Sequence, residues 1–236
     1  KDYVATVLKV VRDQQDAETR SALLSKLATS GQRYAIFNDP EGRKTFWDFA
    51  KSEQSAALRG RVLMAILTHH SSHDLLENEA DYKLLITTAK QEKQAHARRG
   101  YLNMLFRNAK AMEAVLKAGF YQDLKEVVEA EEHPIERARL LGTFMRSSGV
   151  SKIVVKDIEN GGGDAVLKQV RKLEDVAARR LILSELFTSQ TIIAAFYKAG
   201  HFAELQQVVK DETDAEAQAK LRVFLYGNPW VVEGML

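Results

Sequence analysis

Arginine recurs along this chain at a nearly constant interval. The ladder positions follow each other at a period of about 39 residues, with one slightly longer interval, and are occupied by Arg20, Arg59, Arg98, Arg137, Arg179 and Gln218. A guanidinium group donates several hydrogen bonds in a fixed geometry to carbonyls, carboxylates or phosphates. The ladder arginines are therefore candidates either for fixing successive segments of the chain against each other or for holding an anionic ligand. We favour the structural role, and the equal spacing predicts that Arg59, Arg98 and Arg137 bridge neighbouring segments.

Histidine is clustered once, in Thr68-His69-His70-Ser71-Ser72-His73-Asp74. On a helix, His69 and His73 are one turn apart and share a face, a spacing that suits a metal ion. The alternative is that histidines at a helix C-terminus bond its free carbonyls and interact favourably with the helix dipole. We favour the second interpretation, so the sequence predicts no metal and no cofactor.

Other chemical motifs are weak. Gly161-Gly162-Gly163 lacks the Gly-Lys-Ser/Thr ending of a phosphate loop, and no strand is expected before it, so we interpret it as an inserted turn. No arrangement of nucleophile, base and acid can be argued from the spacing of residues. The sequence therefore predicts a protein that is not an enzyme.

The elements that carry the ladder are predicted to be helices. In residues 124–145, apolar residues recur at helical spacing on both sides of a break at His133-Pro134, and residues 205–226 repeat the pattern. Predicted core positions with the period of the ladder are Val7, Leu27, Phe46, Ile66, Leu85, Leu105, Leu124, Phe144, Val166, Leu186, Leu205 and Leu225. A period of this length indicates a repeat architecture.

Turn residues complete the predicted unit. Gly119, Gly161 and Gly200 share one register and are expected at positive φ after a helix. Residues 38–42 contain Asn, Asp, Pro and Gly, and predict a turn. Trp47 is off the core register, so we expect it to be exposed. We expect fifteen to eighteen helices in six repeats, no strands, and one continuous domain over residues 1–236.

The repeats resemble a known family. Asp16-Ala17-Glu18-Thr19-Arg20 and Asp175-Val176-Ala177-Ala178-Arg179 are similar to the start of the second helix in HEAT repeats. The Lys-Ala-Gly turns at 117–119 and 198–200 resemble the glycine turn of armadillo repeats. The sequence departs from the pattern at Ser55, Gln94 and His133, which replace the acidic residue, and at Gln218. The resemblance implies an all-α, right-handed armadillo/HEAT-like α-solenoid.

The resemblance also implies a non-catalytic scaffold that holds a protein or an acidic peptide along a concave surface. Acidic residues are scarce in the second helices, so a groove lined by those helices would be basic. The groove candidates are Arg61, Arg99, Asn103, Arg107, Arg139, Arg180 and Arg222. The alternative function is that of a nucleic-acid-binding HEAT-like solenoid, because the same cations suit a phosphate backbone.

Composition limits these functions loosely. A formal charge of +2 predicts no bulk attraction to nucleic acid or membrane. The apolar runs are too short to cross a bilayer, so no membrane insertion is expected. The absence of cysteine excludes disulfides and leaves the compartment open. The chain starts at Lys1 rather than Met, which is compatible with a removed signal peptide.

Overall fold

The computed structural model describes residues 2–30, 33–68, 76, 78–171, 173–227 and 229, and every regular element within these ranges is a helix. The chain divides into two compact units, Lys1–Val127 and Val128–Leu236. The boundary falls inside one helix, α9 (Tyr121–Glu129). We describe each unit by itself, and the single continuous domain over residues 1–236 stays a prediction.

Sixteen helices lie within the described residues, a number inside the predicted range. Those of unit 1 are α1 (Asp2–Asp13), α2 (Ala17–Thr29), α3 (Arg33–Asn38), α4 (Pro40–Ser52), α5 (Ala56–Leu67), α6 (Glu79–Gln91), α7 (Ala95–Arg107) and α8 (Ala109–Lys117). Those after α9 are α10 (Pro134–Arg146), α11 (Val150–Asp157), α12 (Gly163–Arg171), α13 (Val176–Thr188), α14 (Gln190–Lys198), α15 (Phe202–Lys210) and α16 (Ala215–Tyr226). None of them is long and apolar enough to cross a membrane.

Six of these helices carry the ladder positions, and we refer to them as the second helices: α2, α5, α7, α10, α13 and α16. In unit 1, α5 packs against both α2 and α7, and in unit 2, α13 packs against both α10 and α16. The second helices of each unit therefore form one layer, which brings the ladder residues and their neighbours onto adjacent helices.

Most of the periodic apolar residues lie in the core, as predicted. Nine of the twelve predicted positions are buried, and Val7, Leu27 and Val166 are half-buried. In α1 and α12 the neighbouring residues, Leu8 and Leu167, are buried instead, with exposures of 2% and 1%. Because successive helical side chains are about 100° apart, a shift of one residue rotates the buried stripe toward the neighbouring position.

The local prediction for Trp47 was wrong. Trp47 is buried, and its indole N–H is satisfied by a hydrogen bond of 3.1 Å to the Oδ1 atom of Asp81, which is also buried. The turn predicted at residues 38–42 is present but short, because α3 ends at Asn38 and α4 begins at Pro40. Asp39 caps that helix by accepting the N–H of Gly42 at 3.0 Å, and Pro40 occupies its first position.

The positive φ of the three glycines was predicted correctly, but the inserted turn predicted at Gly161-Gly162-Gly163 was wrong, because these residues continue the helical path. Gly119, Gly161 and Gly200 have φ values of 90°, 93° and 80°. At Gly119 and Gly200 the glycine N–H bonds the carbonyl three residues earlier, and the following N–H bonds the carbonyl five residues before it, which is the Schellman motif. Gly161 instead produces a kink in the segment Ile158–Gly162, through which α11 continues into α12.

Candidate functional site

Every ladder residue closes the turn that precedes its own helix. Its side chain donates a hydrogen bond to the backbone carbonyl six residues earlier, and the distances are 3.0 Å at Arg20, 2.8 Å at Arg59, 3.0 Å at Arg98, 3.4 Å at Arg137, 3.2 Å at Arg179 and 3.1 Å at Gln218. The same amide nitrogen of Gln218 also lies 3.3 Å from the Lys210 carbonyl. Because the bond needs only an N–H donor at the right distance, glutamine can replace arginine at the sixth position.

The residue that provides this carbonyl has a second role. Gln14, Glu53, Glu92, Glu131, Leu173 and Glu212 occupy this place, and we refer to the four acidic members as the turn glutamates. At every position except Leu173, the side-chain Oε1 accepts the backbone N–H of the residue two places later, which is the N-cap of the second helix, at 2.8–3.2 Å. Side chain and carbonyl of one residue thus fix both ends of the turn.

Two ladder arginines also reach the next pair of helices in unit 1. The Nη2 atom of Arg20 lies 3.7 Å from the Oε2 atom of Glu53. Arg59 is only 7% exposed and donates to Thr88 Oγ1 at 2.8 Å and to Gln91 Oε1 at 2.7 Å, both on α6. By contrast, the hydrogen bond of Arg137 stays within its own turn, which differs from the bridging role predicted for it.

In unit 2 a two-pronged ion pair involves Arg180, which was predicted to lie in the groove. Its Nε and Nη2 atoms bond the two carboxylate oxygens of Glu212 at 2.8 and 2.7 Å. The Glu212 side chain is 4% exposed, whereas that of Arg180 is 32% exposed. The bonds from Arg180 lower the pKa of Glu212 to about 2, with a further contribution from the backbone N–H of Asp214. Arg180 is therefore held by a carboxylate of its own unit.

The surface of α5 and α7 in unit 1 is different. Neither helix contains an aspartate or a glutamate. Arg99, Asn103 and Arg107 succeed each other at one-turn spacing along α7 and share one face. Arg61 and Arg107 are exposed, and within the described part of the chain neither side chain has a hydrogen-bond or ion-pair partner. We call these four residues the α5/α7 basic face.

Close packing fixes the two helices that carry this face. A Cβ atom at Gly100 of α7 would lie 3.3 Å from the sulfur of Met64 on α5. The buried Tyr101 hydroxyl donates to the Leu85 carbonyl of α6 at 2.9 Å, and its burial raises the pKa of the phenol well above the usual value. Asn108, at the C-terminal end of α7, donates to the Leu67 carbonyl of α5 at 3.1 Å. The helices that carry the basic side chains are therefore held in place by these packing contacts and hydrogen bonds.

The second helices of unit 2 carry carboxylates, and each contacts a basic side chain. Glu136 bonds Arg139 at 2.9 Å within α10, and Glu216 bonds Lys220 at 2.6 Å within α16. Glu185 of α13 pairs with Arg146 of α10 across Gly142, where a Cβ atom would lie 2.6 Å from the Glu185 side chain. Of the predicted groove residues in unit 2, Arg139 and Arg180 are thus paired, and Arg222 is exposed.

The remaining points concern the histidine candidates and the features that the sequence analysis missed. His69, His70 and His73, the weak metal candidate, lie outside the described residues. The turn glutamates were missed, although Glu53, Glu92 and Glu131 recur in the sequence with the period of the ladder and Glu212 precedes Gln218 by the same six residues. The pairing of Arg180 with Glu212 was also missed, because these residues are far apart in sequence and meet only through the packing of unit 2.

Comparison with known proteins identifies the fold and nothing more specific. No protein-family model and no curated protein sequence matches this chain. One similar crystal structure is that of an engineered protein with 18% identity and a TM-score of 0.60, and the match covers 97% of both chains. A second engineered protein has 17% identity and a TM-score of 0.57, and the match covers 98% of this chain and 61% of that one. Identities this low show likeness of fold alone.

Proposed function

We propose that this chain is an armadillo/HEAT-like α-solenoid of six repeats that acts as a non-catalytic scaffold for a protein partner. The ladder bond supports the repeat assignment, because it occurs at all six positions with the same offset between donor and carbonyl. The Schellman turns at Gly119 and Gly200 support it too, since they stand at the same register of different repeats.

The partner binds on the α5/α7 basic face in this proposal. The observation that carries it is the exposed pair Arg61 and Arg107, which lies on two helices without carboxylates and has no partner within the described residues. Ladder arginines are excluded from this role, because each already bonds a carbonyl in its own turn. Arg139 and Arg180 contribute less, because intramolecular carboxylates occupy them.

The partner is an acidic segment of a protein. Guanidinium groups form paired, charge-assisted hydrogen bonds with carboxylates, and the half-buried Asn103 between Arg99 and Arg107 offers both a donor and an acceptor to a peptide backbone. Contacts between exposed charges weaken as salt rises, since the Debye length shortens to about 8 Å near physiological ionic strength. Binding should therefore depend on salt.

A charge-reversal experiment tests the proposal. The variant Arg61→Glu plus Arg107→Glu changes the α5/α7 basic face, and the matched control Arg139→Glu plus Arg222→Glu makes the same charge change on α10 and α16. The probe is a fluorescein-labelled peptide rich in aspartate and glutamate, followed by fluorescence anisotropy. We expect the α5/α7 variant to lose affinity by about tenfold or more, and the control by less than about threefold.

The outcomes separate the alternatives. Equal losses in the two variants would contradict the assignment of the face, because bulk charge alone would then explain the binding. Single-stranded RNA and duplex DNA are titrated in parallel. If a nucleic acid binds more tightly than the peptide and the α5/α7 variant abolishes that binding, the partner is a nucleic acid and the proposed protein partner is wrong.

A further inference from the structure

Beyond the proposed binding face, we infer that Asp164, His201 and Glu204 of unit 2 form a site for a divalent transition-metal ion, with Zn²⁺ as the best-suited ion. One ligand atom from each of the three residues lies within 4.8 Å of those of the others. The site is independent of the α5/α7 basic face, which belongs to unit 1.

Two helix starts bring the three side chains together. Asp164 is in the first turn of α12, His201 is the N-cap of α15, and Glu204 is in the first turn of α15. Gly163 makes this approach close, since a Cβ atom there would lie 2.7 Å from the Cδ2 atom of His201. The imidazole is thus held against the start of α12, and its side chain is 18% exposed.

The distance from His201 to Asp164 suits tetrahedral coordination, and the distance from His201 to Glu204 is slightly longer. His201 Nδ1 is 3.4 Å from Asp164 Oδ1 and 3.7 Å from Glu204 Oε1. In a tetrahedral Zn²⁺ site with metal–ligand distances of about 2.0–2.2 Å, neighbouring ligand atoms are separated by about 3.3–3.6 Å. One imidazole and two carboxylates match the nitrogen and oxygen ligands that Zn²⁺ accepts.

The ligand atoms are not used elsewhere in the described structure. His201 Nδ1 faces the two carboxylates without a hydrogen bond to either of them or to another described residue. The side chains of Asp164 and Glu204 are 55% and 40% exposed, but the Oε2 atom of Glu204 is itself inaccessible to solvent and has no hydrogen-bond partner among the described residues. Buried carboxylate oxygens are normally bonded, so an unpartnered one beside a histidine and a second carboxylate points to a cation as its partner.

The corresponding place in unit 1 shows that packing does not require a histidine. The residue at the register of His201, directly after the glycine of the turn, is Phe120, which packs against Tyr82 with ring centroids 6.4 Å apart. The competing explanation for His201 is a protonated imidazole that pairs with both carboxylates and needs no metal. The two explanations make different predictions for Zn²⁺ binding.

Isothermal titration calorimetry with ZnCl₂ on the tag-free, full chain tests the inference. The variant His201→Phe reproduces the residue found in the corresponding place of unit 1, and Glu204→Gln removes one carboxylate with little change of shape. The matched control is His69→Ala plus His70→Ala plus His73→Ala, which removes the other candidate metal ligands. Circular dichroism confirms that each variant remains helical.

We expect one Zn²⁺ per chain, a loss of affinity of about tenfold or more in each of the first two variants, and unchanged binding at this site in the triple control. The inference is overturned if the wild-type chain does not bind Zn²⁺, if His201→Phe and Glu204→Gln bind it as the wild type does, or if only the triple variant loses it.

Discussion

Unit 1 and unit 2 use the same turn chemistry but differ in the charge of their second helices. In both units the ladder residue bonds the carbonyl six residues earlier. In unit 2, the carboxylates of α10, α13 and α16 each contact a basic side chain, whereas α5 and α7 of unit 1 have no carboxylate at all. Periodic arginines thus bond the fold, whereas of the arginines outside the period Arg139 and Arg180 are paired with carboxylates and Arg61 and Arg107 have no partner among the described residues.

The largest effect is expected from removing a ladder arginine in unit 1. Arg59→Ala should lower the free energy of unfolding by about 2–4 kcal/mol, because a buried guanidinium with three hydrogen-bond partners is lost. Arg179→Ala in unit 2 should cost about 1 kcal/mol, since Arg179 is half-buried and its one described hydrogen bond is to the Leu173 carbonyl. Urea unfolding followed by circular dichroism measures both. Equal losses of unfolding free energy in the two variants would show that the contacts of Arg59 with the next helix pair do not contribute to stability.

A smaller effect, confined to unit 2, should depend on pH. Glu212→Gln removes the carboxylate whose folded pKa is about 2, below its usual 4.5. A depressed pKa stabilises the folded state above the unfolded pKa, and this contribution disappears as the pH falls toward the folded pKa. Near pH 6 the free energy of unfolding of the wild type should be about 2–3 kcal/mol higher than that of the variant. This difference should shrink between about pH 4.5 and pH 2.

Urea titrations at several pH values test this prediction. The control is Glu216→Gln, which breaks an exposed pair within α16 and should change stability by less than about 0.5 kcal/mol at any pH. A difference between wild type and Glu212→Gln that stays constant down to pH 2 would show that the Arg180 pair does not depend on the charge of Glu212.

The smallest effect should be the same in both units. Gly119→Ala and Gly200→Ala each place a Cβ atom at positive φ, where no neighbour lies within 4 Å, so the cost is backbone strain alone. We expect each to lower the free energy of unfolding by about 1 kcal/mol, measured by urea unfolding. A difference of more than about 1 kcal/mol between the two variants would contradict a shared turn.

Local chemistry explains which parts of this structure could be predicted from sequence. The helix start at Pro134 and the positive φ of Gly119 follow from backbone geometry that acts within a few residues. Phe46 and Leu85 were found because burial follows the helical period. The hydrogen bond of Trp47 to Asp81 was missed because it joins distant parts of the sequence, and the Asp164, His201 and Glu204 cluster was missed because α12 and α15 meet only in the folded unit.

The lack of carboxylates in α5 and α7 could also be predicted from sequence, but whether each arginine has an ion-pair partner could not. Arg61 and Arg139 are alike in sequence, since each follows a ladder arginine by two residues. Arg139 bonds Glu136 three residues before it, whereas Leu58 stands three residues before Arg61 and offers no charge. For this pair a carboxylate one helical turn away decides which arginine remains available, whereas Arg180 is held by Glu212 from a distant part of the sequence.

The most direct test of the account is nuclear magnetic resonance mapping of the acidic peptide on the isotope-labelled protein. We predict that Arg61, Arg99, Asn103 and Arg107 show the largest saturable amide shifts, and that these shifts decline as salt is raised, because the contacts are between exposed charges. Amides of α10, α13 and α16 should move little. Largest shifts on the unit 2 second helices, or shifts spread evenly over both units, would contradict the claim that the α5/α7 basic face binds the partner.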